Sequence, residues 1–353
     1  MHKPYRDFAD FLHERFPDFK VQKIAINAGF TCPNRDGSKG TGGCTYCNNQ
    51  TFNPEYCRPS LSVGEQIEKG RTFFGKKYPD MKYLAYFQAY TNTYGELRHL
   101  VDLYEEAVAC PDVVGLIIGT RPDCMPDTLL QYLASLSQRT FVMVEYGAET
   151  ASNRTLDVIN RGHSWEDTVD AVNRTHAAGI ACGLHLILGL PGETSEDVRD
   201  TMEKVTALGP DDITLHALAL KRGSRLKLLM EEQHVELPSD EETRRMSEIA
   251  MAYVRKTGMH PYYLYRQGYM SGDLENVGCC RTGAEGMYNI QIMEEHQTII
   301  GIGGAATTKV VDFRRKRMKS SFNAKDLVTY LRDIDIYIEK RRQLLDEAYG
   351  PQS

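Results

Sequence analysis

Three cysteines near the start of the chain, Cys32, Cys44 and Cys47, lie in one glycine-rich loop (GFTCPNRDGSKGTGGCTYC) that directly follows a strand-like run. Cysteine thiolates are the usual ligands of iron–sulfur clusters. Three thiolates can hold only three irons of a cubane cluster, so the fourth iron stays open to bind a ligand and act on it. The residue types therefore indicate a metal site at which chemistry can take place.

A structural zinc site is the alternative, because Cys44-x-x-Cys47 is a common zinc half-motif and Cys57 could be a fourth ligand. The partner cysteine pair of a zinc ribbon is missing from the sequence. The loop also lies in a pattern of alternating strands and helices, a fold that does not need a structural metal site to be stable. The spacing alone leaves both kinds of site open.

The composition is that of an enzyme-sized soluble chain, with 353 residues, 41% hydrophobic and 25% charged. No apolar run approaches the roughly 20 residues that span a bilayer, and the start of the sequence has no signal-peptide core. We therefore expect a cytoplasmic protein with no membrane partner, whose cysteines stay reduced. A net charge of -6 argues against indiscriminate binding to nucleic acid, yet a local basic patch could still dock an RNA.

Strand-like apolar runs alternate with helix-like segments of amphipathic period, which is typical of a parallel sheet wound with helices. The predicted strands are Lys20–Asn27, Tyr83–Tyr90, Val113–Thr120, Thr140–Gly147, Ala181–Leu190 and Asp212–Leu220. The predicted helices are Val63–Phe74, Leu97–Ala109, Asp127–Ser137, Asp167–Ala178 and Ser195–Ala207. Six such units are two short of a complete barrel. The sequence therefore predicts an α/β fold, a partial (β/α)6 TIM-like barrel with a C-terminal α+β extension.

The cysteine loop should open at the carboxyl ends of the strands, where barrels of this kind carry their working residues. We divide the chain into an N-terminal helical segment (1–19), a barrel core (20–220) and an extension on the substrate side (221–353).

The cysteine loop resembles the cluster loop of radical S-adenosylmethionine (SAM) enzymes, with the aromatic Tyr46 between its last two cysteines. Its first gap has eleven residues, which departs from most of that superfamily and resembles the YhcC/YtqA-type family, related to the elongator-subunit group. The likeness continues through AYFQAYTNTYG, GTRPDCMPD, VEYGAET, INRGH and HLILGLPGET. It covers roughly residues 20 to 200 and implies a radical SAM barrel.

The resemblance implies a [4Fe-4S] cluster on Cys32, Cys44 and Cys47, with SAM on the open iron. Reductive cleavage would give methionine and a 5′-deoxyadenosyl radical that abstracts hydrogen from the substrate. A flavodoxin- or ferredoxin-type protein, or a reductase, would supply the electron.

Five further residues are expected at the cofactor on the same resemblance: Tyr46 in the cysteine loop, Glu149 at the ribose hydroxyls, Arg161 at the carboxylate, and His185 and Ile187 beside ribose and adenine. The family's glycine-rich loop at the amino group is replaced here by YTNTYG, so backbone carbonyls around Gln88–Asn92 are expected to contact the amino group instead. Ordinary structural roles are the alternatives. A carboxylate such as Glu149 can cap a helix, Arg161 can pair on the surface, and His185 can be a satisfied core histidine.

The second half, from about residue 211, resembles HemZ-type oxygen-independent coproporphyrinogen dehydrogenases, through ITLHALALKRGSRL, HPYYLYRQGYMSGDLENVG and YNIQIMEEHQTIIGIGGAATTK. In this part Tyr265 and Arg266 are the candidate catalytic residues. A flat aromatic pocket with a cation would suit the propionates of a porphyrinogen, and it could equally stack an unpaired base and hold a phosphate. Half-buried packing is the ordinary alternative.

Three functions follow from these patterns. The first is modification of a tRNA wobble uridine, with which the YhcC/YtqA-type family is linked. The second is oxidative decarboxylation of coproporphyrinogen III, and the third is a non-catalytic haem or iron–sulfur carrier. We favour the first, because the resemblance over the cofactor half is closer and longer. Whether Cys279 and Cys280 hold a second metal is left open.

Overall fold

The computed structural model describes residues 21–47, 54, 56–75, 81–220, 224–232, 235–265, 274, 276–280, 307–312, 317–324 and 327–349. The predicted N-terminal segment 1–19 lies outside them. Contacts divide the chain into a first unit, Met1–Gln291, and a second unit, Ile292–Ser353. This division falls after the predicted boundary at residue 220, which stays a prediction.

The first unit is built on an eight-stranded sheet with the order β1-β2-β3-β4-β5-β6-β8-β7. Its strands are β1 (Val21–Ile26), β2 (Lys82–Phe87), β3 (Val113–Thr120), β4 (Phe141–Glu149), β5 (Ala181–Leu188), β6 (Asp212–Ala217), β7 (His260–Tyr265) and β8 (Asn276–Cys280). The first six are parallel neighbours, as the alternating pattern predicts. β8 then pairs antiparallel with β6 and with β7. This partial barrel confirms the predicted fold class.

The helices of the first unit are α1 (Val63–Gly75), α2 (Leu97–Ala109), α3 (Asp127–Ser137), α4 (Asn153–Val158), α5 (Trp165–Ala177), α6 (Ser195–Leu208), α7 (Arg225–Glu231) and α8 (Asp240–Lys256). Ser164 and Thr194 start α5 and α6 through capping boxes with Asp167 and Asp197. Gly209 ends α6 with a φ of 65°, which glycine adopts without strain. These local signals explain why the predicted helix bounds agree with the structure to within a few residues.

The main core lies between the sheet and its helices, because alternate strand residues point outward to the helices. Ile24, Leu116, Val144 and Leu184 belong to this layer and are fully buried. The inward positions of the same strands form a smaller apolar cluster of Val21, Leu84, Tyr86, Ile117 and Met143. Among the described residues, no helix has the combination of length and apolar character that would cross a bilayer.

The second unit contains the hairpin β9 (Thr307–Asp312) and β10 (Arg317–Phe322), followed by α9 (Leu327–Arg332) and α10 (Ile334–Tyr349). The two strands pair antiparallel, from Arg317 with Asp312 to Phe322 with Thr307. A hairpin followed by helices is the α+β character that the sequence predicts for the C-terminal extension.

Candidate active site

The cysteine loop leaves the end of β1, and its own backbone hydrogen bonds shape it. The Arg35 amide donates to Cys32 O at 2.9 Å, and the Gly43 amide donates to Asn34 O at 2.8 Å. Gln66 of α1 fixes the end of β1, because its side chain both accepts from and donates to the backbone of Asn27, at 2.9 and 3.0 Å. The cysteines therefore project from an organised loop at the carboxyl end of the barrel.

Cys44 is buried, and two donors contact its sulfur. Asn34 Nδ2 donates to Cys44 Sγ at 3.3 Å, and Arg161 Nη1 donates to it at 3.4 Å. Donors and a cation stabilise a thiolate, which is the form that binds metal. Asn34 also donates to Asn160 O at 3.0 Å, so the loop is tied to the segment that carries Arg161.

The other two cysteines are half-buried, and each has its own polar neighbour. Thr91 Oγ1 donates to Cys32 Sγ at 3.0 Å. Burial raises the pKa of Cys32, while the Thr91 hydrogen bond and the charge of Arg161 act in the opposite direction. Burial opposes the charge of Arg35, but its hydrogen bond to Cys47 and the charges of Cys47, Tyr90 and Cys32 together outweigh burial and raise the pKa of the guanidinium. Each of the three sulfurs is thus supplied with a donor.

Arg161 joins the cysteine loop to the end of β4. Its Nη2 donates to Gly147 O at 2.7 Å and lies 3.2 Å from Glu149 Oε1. Burial opposes the charge of Arg161, but Tyr46, Cys44 and Glu149 outweigh it and raise the pKa of the guanidinium well above its ordinary value. One buried arginine therefore contacts both a predicted cluster ligand and a predicted SAM ligand.

Glu149 ends β4 in a backbone conformation that side chains rarely adopt, with a φ of 67°. The pairing of β4 with β5 shifts register between Gly147 and Glu149. A Cβ at Gly147 would lie 2.7 Å from Arg161 Nη2 and 2.8 Å from Glu149 Oε1, so glycine leaves the space that this ion pair fills. Strained backbone and bulges of this kind cluster at functional sites.

The remaining predicted cofactor residues lie at the same end of the barrel. Tyr46 and Ile187 pack against one apolar cluster, whose buried members are Leu156, Ile159, Leu190, Leu218 and Leu226. Burial raises the pKa of Tyr46 well above its ordinary value. Gln88 directly follows β2, and its backbone amide donates to Ile26 O at 3.4 Å. His185 contacts Glu145 and His216 within the barrel. All four roles at SAM stay predictions.

The two predicted catalytic residues lie at the end of β7 and beyond it. Tyr265 is the last residue of β7 and pairs with Asn276, whereas Arg266 lies outside the described residues. Burial raises the pKa of Cys57 and that of Cys279 to about 12 each. In the described part of the chain, no three His, Cys, Asp or Glu side chains are grouped closely enough for a single metal ion.

Sequence reasoning missed a buried charged cluster that supports the loop. Arg121 is 1% exposed and donates through Nε and Nη2 to Asp123, both at 2.9 Å, and through Nη1 to Arg161 O at 2.5 Å. Lys39 of the cysteine loop lies 2.5 Å from Asp123. His163 is buried beside them without a hydrogen-bond partner among the described residues, and burial lowers its pKa to about 2. The available signal was the arginine and aspartate of GTRPD, directly after a buried strand.

The fold agrees with what similarity to known proteins shows. Residues 31–205 match the model of the Radical SAM superfamily. The chain belongs to this superfamily, whose members use a [4Fe-4S] cluster and SAM.

Three relatives illustrate the similarity. The uncharacterized protein YtqA of Bacillus subtilis is 36% identical over 248 residues, which are 68% of this chain and 77% of YtqA. Protein YhcC of Escherichia coli is 40% identical over 206 residues, which are 58% of this chain and 65% of YhcC. The oxygen-independent coproporphyrinogen-III oxidase-like protein HemZ of B. subtilis is 33% identical over 267 residues, 75% of this chain and 53% of HemZ.

A solved structure supports the fold. Coproporphyrinogen III oxidase (HemN) from E. coli, described as a radical SAM enzyme, superposes with a TM-score of 0.51 over 94% of this chain and 73% of its own. At 15% identity this likeness concerns the fold alone.

The family model and the sequence relatives confirm the resemblances to the YhcC/YtqA-type and HemZ-type families and the predicted cofactors, while the substrate stays open.

Proposed function

We propose that this chain is a radical SAM enzyme in which Cys32, Cys44 and Cys47 hold the [4Fe-4S] cluster. The observation that carries this proposal is the position of Arg161, whose guanidinium contacts both Cys44 Sγ and Glu149. Bound here, the cluster and SAM would supply, after one-electron reduction, a 5′-deoxyadenosyl radical that abstracts hydrogen from substrate.

The residues present fit these groups. None of the three cysteines is in a disulfide, and each sulfur has a neutral or cationic donor beside it. Two of the buried polar atoms that lack a hydrogen-bond partner among the described residues belong to this site: Arg161 Nε, a donor suited to a carboxylate, and Asn92 Oδ1, an acceptor suited to an ammonium.

The chain's own residues would then divide the work. Thr91 and Asn34 donate to sulfur and stabilise the anionic ligands. Arg161 carries the positive charge between cluster and carboxylates, and Glu149 presents an acceptor at the end of β4. Because the Arg161 and Glu149 side chains are only 10% and 9% exposed, these charges act with little screening by water.

The role of Glu149 is tested with Glu149→Gln, which keeps the shape and removes the charge. A hydrogen bond to a charged group contributes about 1.5–3 kcal/mol, so the dissociation constant for SAM should rise by about 10–100-fold in equilibrium dialysis of the reconstituted protein. The control is Glu166→Gln, at an exposed carboxylate that accepts from Asn153. Equal SAM affinity of the wild type and Glu149→Gln, with equal cluster content, would refute this role.

For the substrate we infer a tRNA whose wobble uridine is modified. The support is the higher identity to YhcC, 40% against 33% to HemZ, together with the long cysteine gap of the YhcC/YtqA-type family. Mass spectrometry of tRNA nucleosides from a deletion strain should show an altered wobble uridine. Complementation by the wild type, and not by Cys32→Ala, should restore it, and an unchanged nucleoside profile sinks this proposal.

Coproporphyrinogen III is the second candidate, because similarity to HemZ extends over 75% of this chain. The test is anaerobic incubation with coproporphyrinogen III, SAM and a flavodoxin- or ferredoxin-type donor. Formation of protoporphyrinogen would support this candidate and contradict the tRNA proposal. A haem or iron–sulfur carrier would instead bind its cargo and form no 5′-deoxyadenosine under reduction.

A further inference from the structure

The interior of the barrel contains a row of titratable side chains where such barrels usually pack branched apolar residues. We call Lys23 of β1, Glu145 of β4, His185 of β5 and His216 of β6 the interior polar chain. Lys23 Nζ lies 3.2 Å from Glu145 Oε1 and 3.5 Å from the centre of the Tyr86 ring. Their side chains are 1% and 4% exposed. A buried ion pair gives little net stability, so its presence here points to another role.

The interior polar chain continues from the Glu145 carboxylate through the imidazoles of His185 and His216. Glu145 Oε2 lies 3.4 Å from His185 Nε2, which is an ion-pair contact, and neither atom has a hydrogen-bond partner among the described residues. On the other side of that ring, His185 Nδ1 and His216 Nε2 are 3.1 Å apart, which is a hydrogen bond between two histidines. Such a bond needs a proton on one nitrogen and a lone pair on the other. The two rings therefore share one proton across this contact.

The strand register shows that the interior polar chain extends toward the carboxyl end of the barrel. Glu145 pairs with Gly183, His185 lies two residues further along β5, and His216 pairs with Ile187, two residues further again. Burial decreases along the same path, from 4% exposure at Glu145 to 24% at His185, and His216 is also half-buried. The interior polar chain thus connects the barrel interior with the end of the barrel where Glu149 and Ile187 lie.

Burial and the surrounding charges shift the pKa values of Glu145, His185 and Lys23. Burial disfavours ionisation of Glu145, but Lys23, His185 and a hydrogen bond from Tyr86 outweigh it and hold the pKa of Glu145 well below its ordinary value. Burial lowers the pKa of His185, but Glu145, Asp212 and Glu149 outweigh it, so the net direction is upward. Burial lowers the pKa of Lys23 against the pull of Glu145 and Asp212. The upward direction favours the cationic form of His185, which is the form that can donate to His216 across the 3.1 Å contact.

We propose that Glu145, His185 and His216 form a proton relay that ends at His216, which donates a proton to an anionic or basic atom of the substrate at the barrel mouth. In this step His216 Nδ1 gives its proton to the substrate, and His185 Nδ1 gives its proton to His216 Nε2. His185 becomes neutral, and the substrate gains one proton. Glu145 is a positioning residue. The inference rests on the proposed function, because it needs a substrate at this mouth.

The first test is ¹⁵N-histidine NMR of the full-length, oxidised holoenzyme as a function of pH. We expect His185 to stay doubly protonated to higher pH than an ordinary histidine, and His216 to show an acceptor Nε2. Glu145→Gln should shift the titration of His185 to lower pH. The control is His176→Asn, which removes a histidine 3.5 Å from Asp211 outside the barrel and should leave both signals in place. Unchanged histidine signals in Glu145→Gln would overturn the relay.

The second test measures product formed per 5′-deoxyadenosine, with tRNA from the deletion strain and with coproporphyrinogen III as probes. His216→Asn should lower this ratio at least tenfold, and His176→Asn should not change it. An equal ratio in His216→Asn and the wild type contradicts the relay. Failure of the wild type to form 5′-deoxyadenosine contradicts the proposed function instead, so the two failures are distinguishable.

Discussion

Replacing Arg161 by alanine is expected to destabilise the barrel far more than replacing a surface arginine with the same kinds of contact. Arg161→Ala leaves the carboxylate of Glu149 buried and without its cation, at a side-chain exposure of 9%. Removing one partner of a buried ion pair costs about 3–5 kcal/mol. At about 2.1 cal/mol/K per residue, the first unit, Met1–Gln291, unfolds with an entropy of about 0.6 kcal/mol/K, so each kcal/mol shifts the midpoint of thermal unfolding by roughly 1.6 °C and Arg161→Ala should lower it by roughly 5–8 °C.

The chain offers a matched control in Arg154, which also contacts one carbonyl and one carboxylate. Its Nη2 donates to Gly192 O at 3.2 Å and lies 3.3 Å from Asp197, but the arginine side chain is 61% exposed. Exposed pairs contribute about 0–1 kcal/mol, so Arg154→Ala should shift the midpoint by less than about 2 °C.

Circular dichroism melting of the metal-free variants compares these two effects. The double variant Arg161→Ala with Glu149→Gln should lose less than the sum of the single losses, because no unpaired buried charge remains. If Arg161→Ala melts with Arg154→Ala, within about 1 °C, the claim that Arg161 joins Cys44 to Glu149 in a low-dielectric site is refuted.

Three further perturbations follow from the same contacts. Burial raises the pKa of Glu193 from 4.5 to about 7, so the stability that the neutral carboxyl contributes is full below about pH 4 and is lost as pH rises through 7. At pH 8 the free energy of unfolding of Glu193→Gln in urea should therefore exceed that of the wild type by up to about 3 kcal/mol. Equal free energies of unfolding at pH 8 would contradict this. Asp123→Asn should cost about 3–5 kcal/mol, since Arg121 would stay buried without its carboxylate; a loss under 1 kcal/mol in the same assay would argue against this. Thr91→Val removes the donor to Cys32 and should make the reduction potential of the reconstituted cluster more negative; an EPR-monitored redox titration with no shift would exclude this effect.

The parallel part of the sheet was predictable because each strand is a short buried run bounded by turn residues. β3 has the predicted bounds, Val113–Thr120, and the other predicted strands of the core differ by a few residues at their ends. The continuation of this sheet through β7 and β8 was not predicted. β7 contains Pro261, which lowers its strand character, and antiparallel pairing with β6 depends on distant sequence.

The candidate site was predictable as residue types and not as contacts. The cysteine spacing and the resemblance placed Cys44, Glu149 and Arg161 at one end of the barrel. The pairing of Arg161 with Glu149 depends on a bulge and on the space beside Gly147, which no sequence pattern reports. Lys23 and Glu145 are 122 positions apart on strands β1 and β4, which are not neighbours in the sheet, so only the curvature of the sheet shows that they meet.

The central claim is that a cluster held by Cys32, Cys44 and Cys47 cleaves SAM, and anaerobic reconstitution with iron and sulfide tests it most directly. After addition of dithionite and SAM, the wild type should form 5′-deoxyadenosine and methionine in equal amounts, measured by mass spectrometry. Cys44→Ser should form neither. A wild-type protein that binds one zinc ion through these cysteines and forms no 5′-deoxyadenosine would contradict the account.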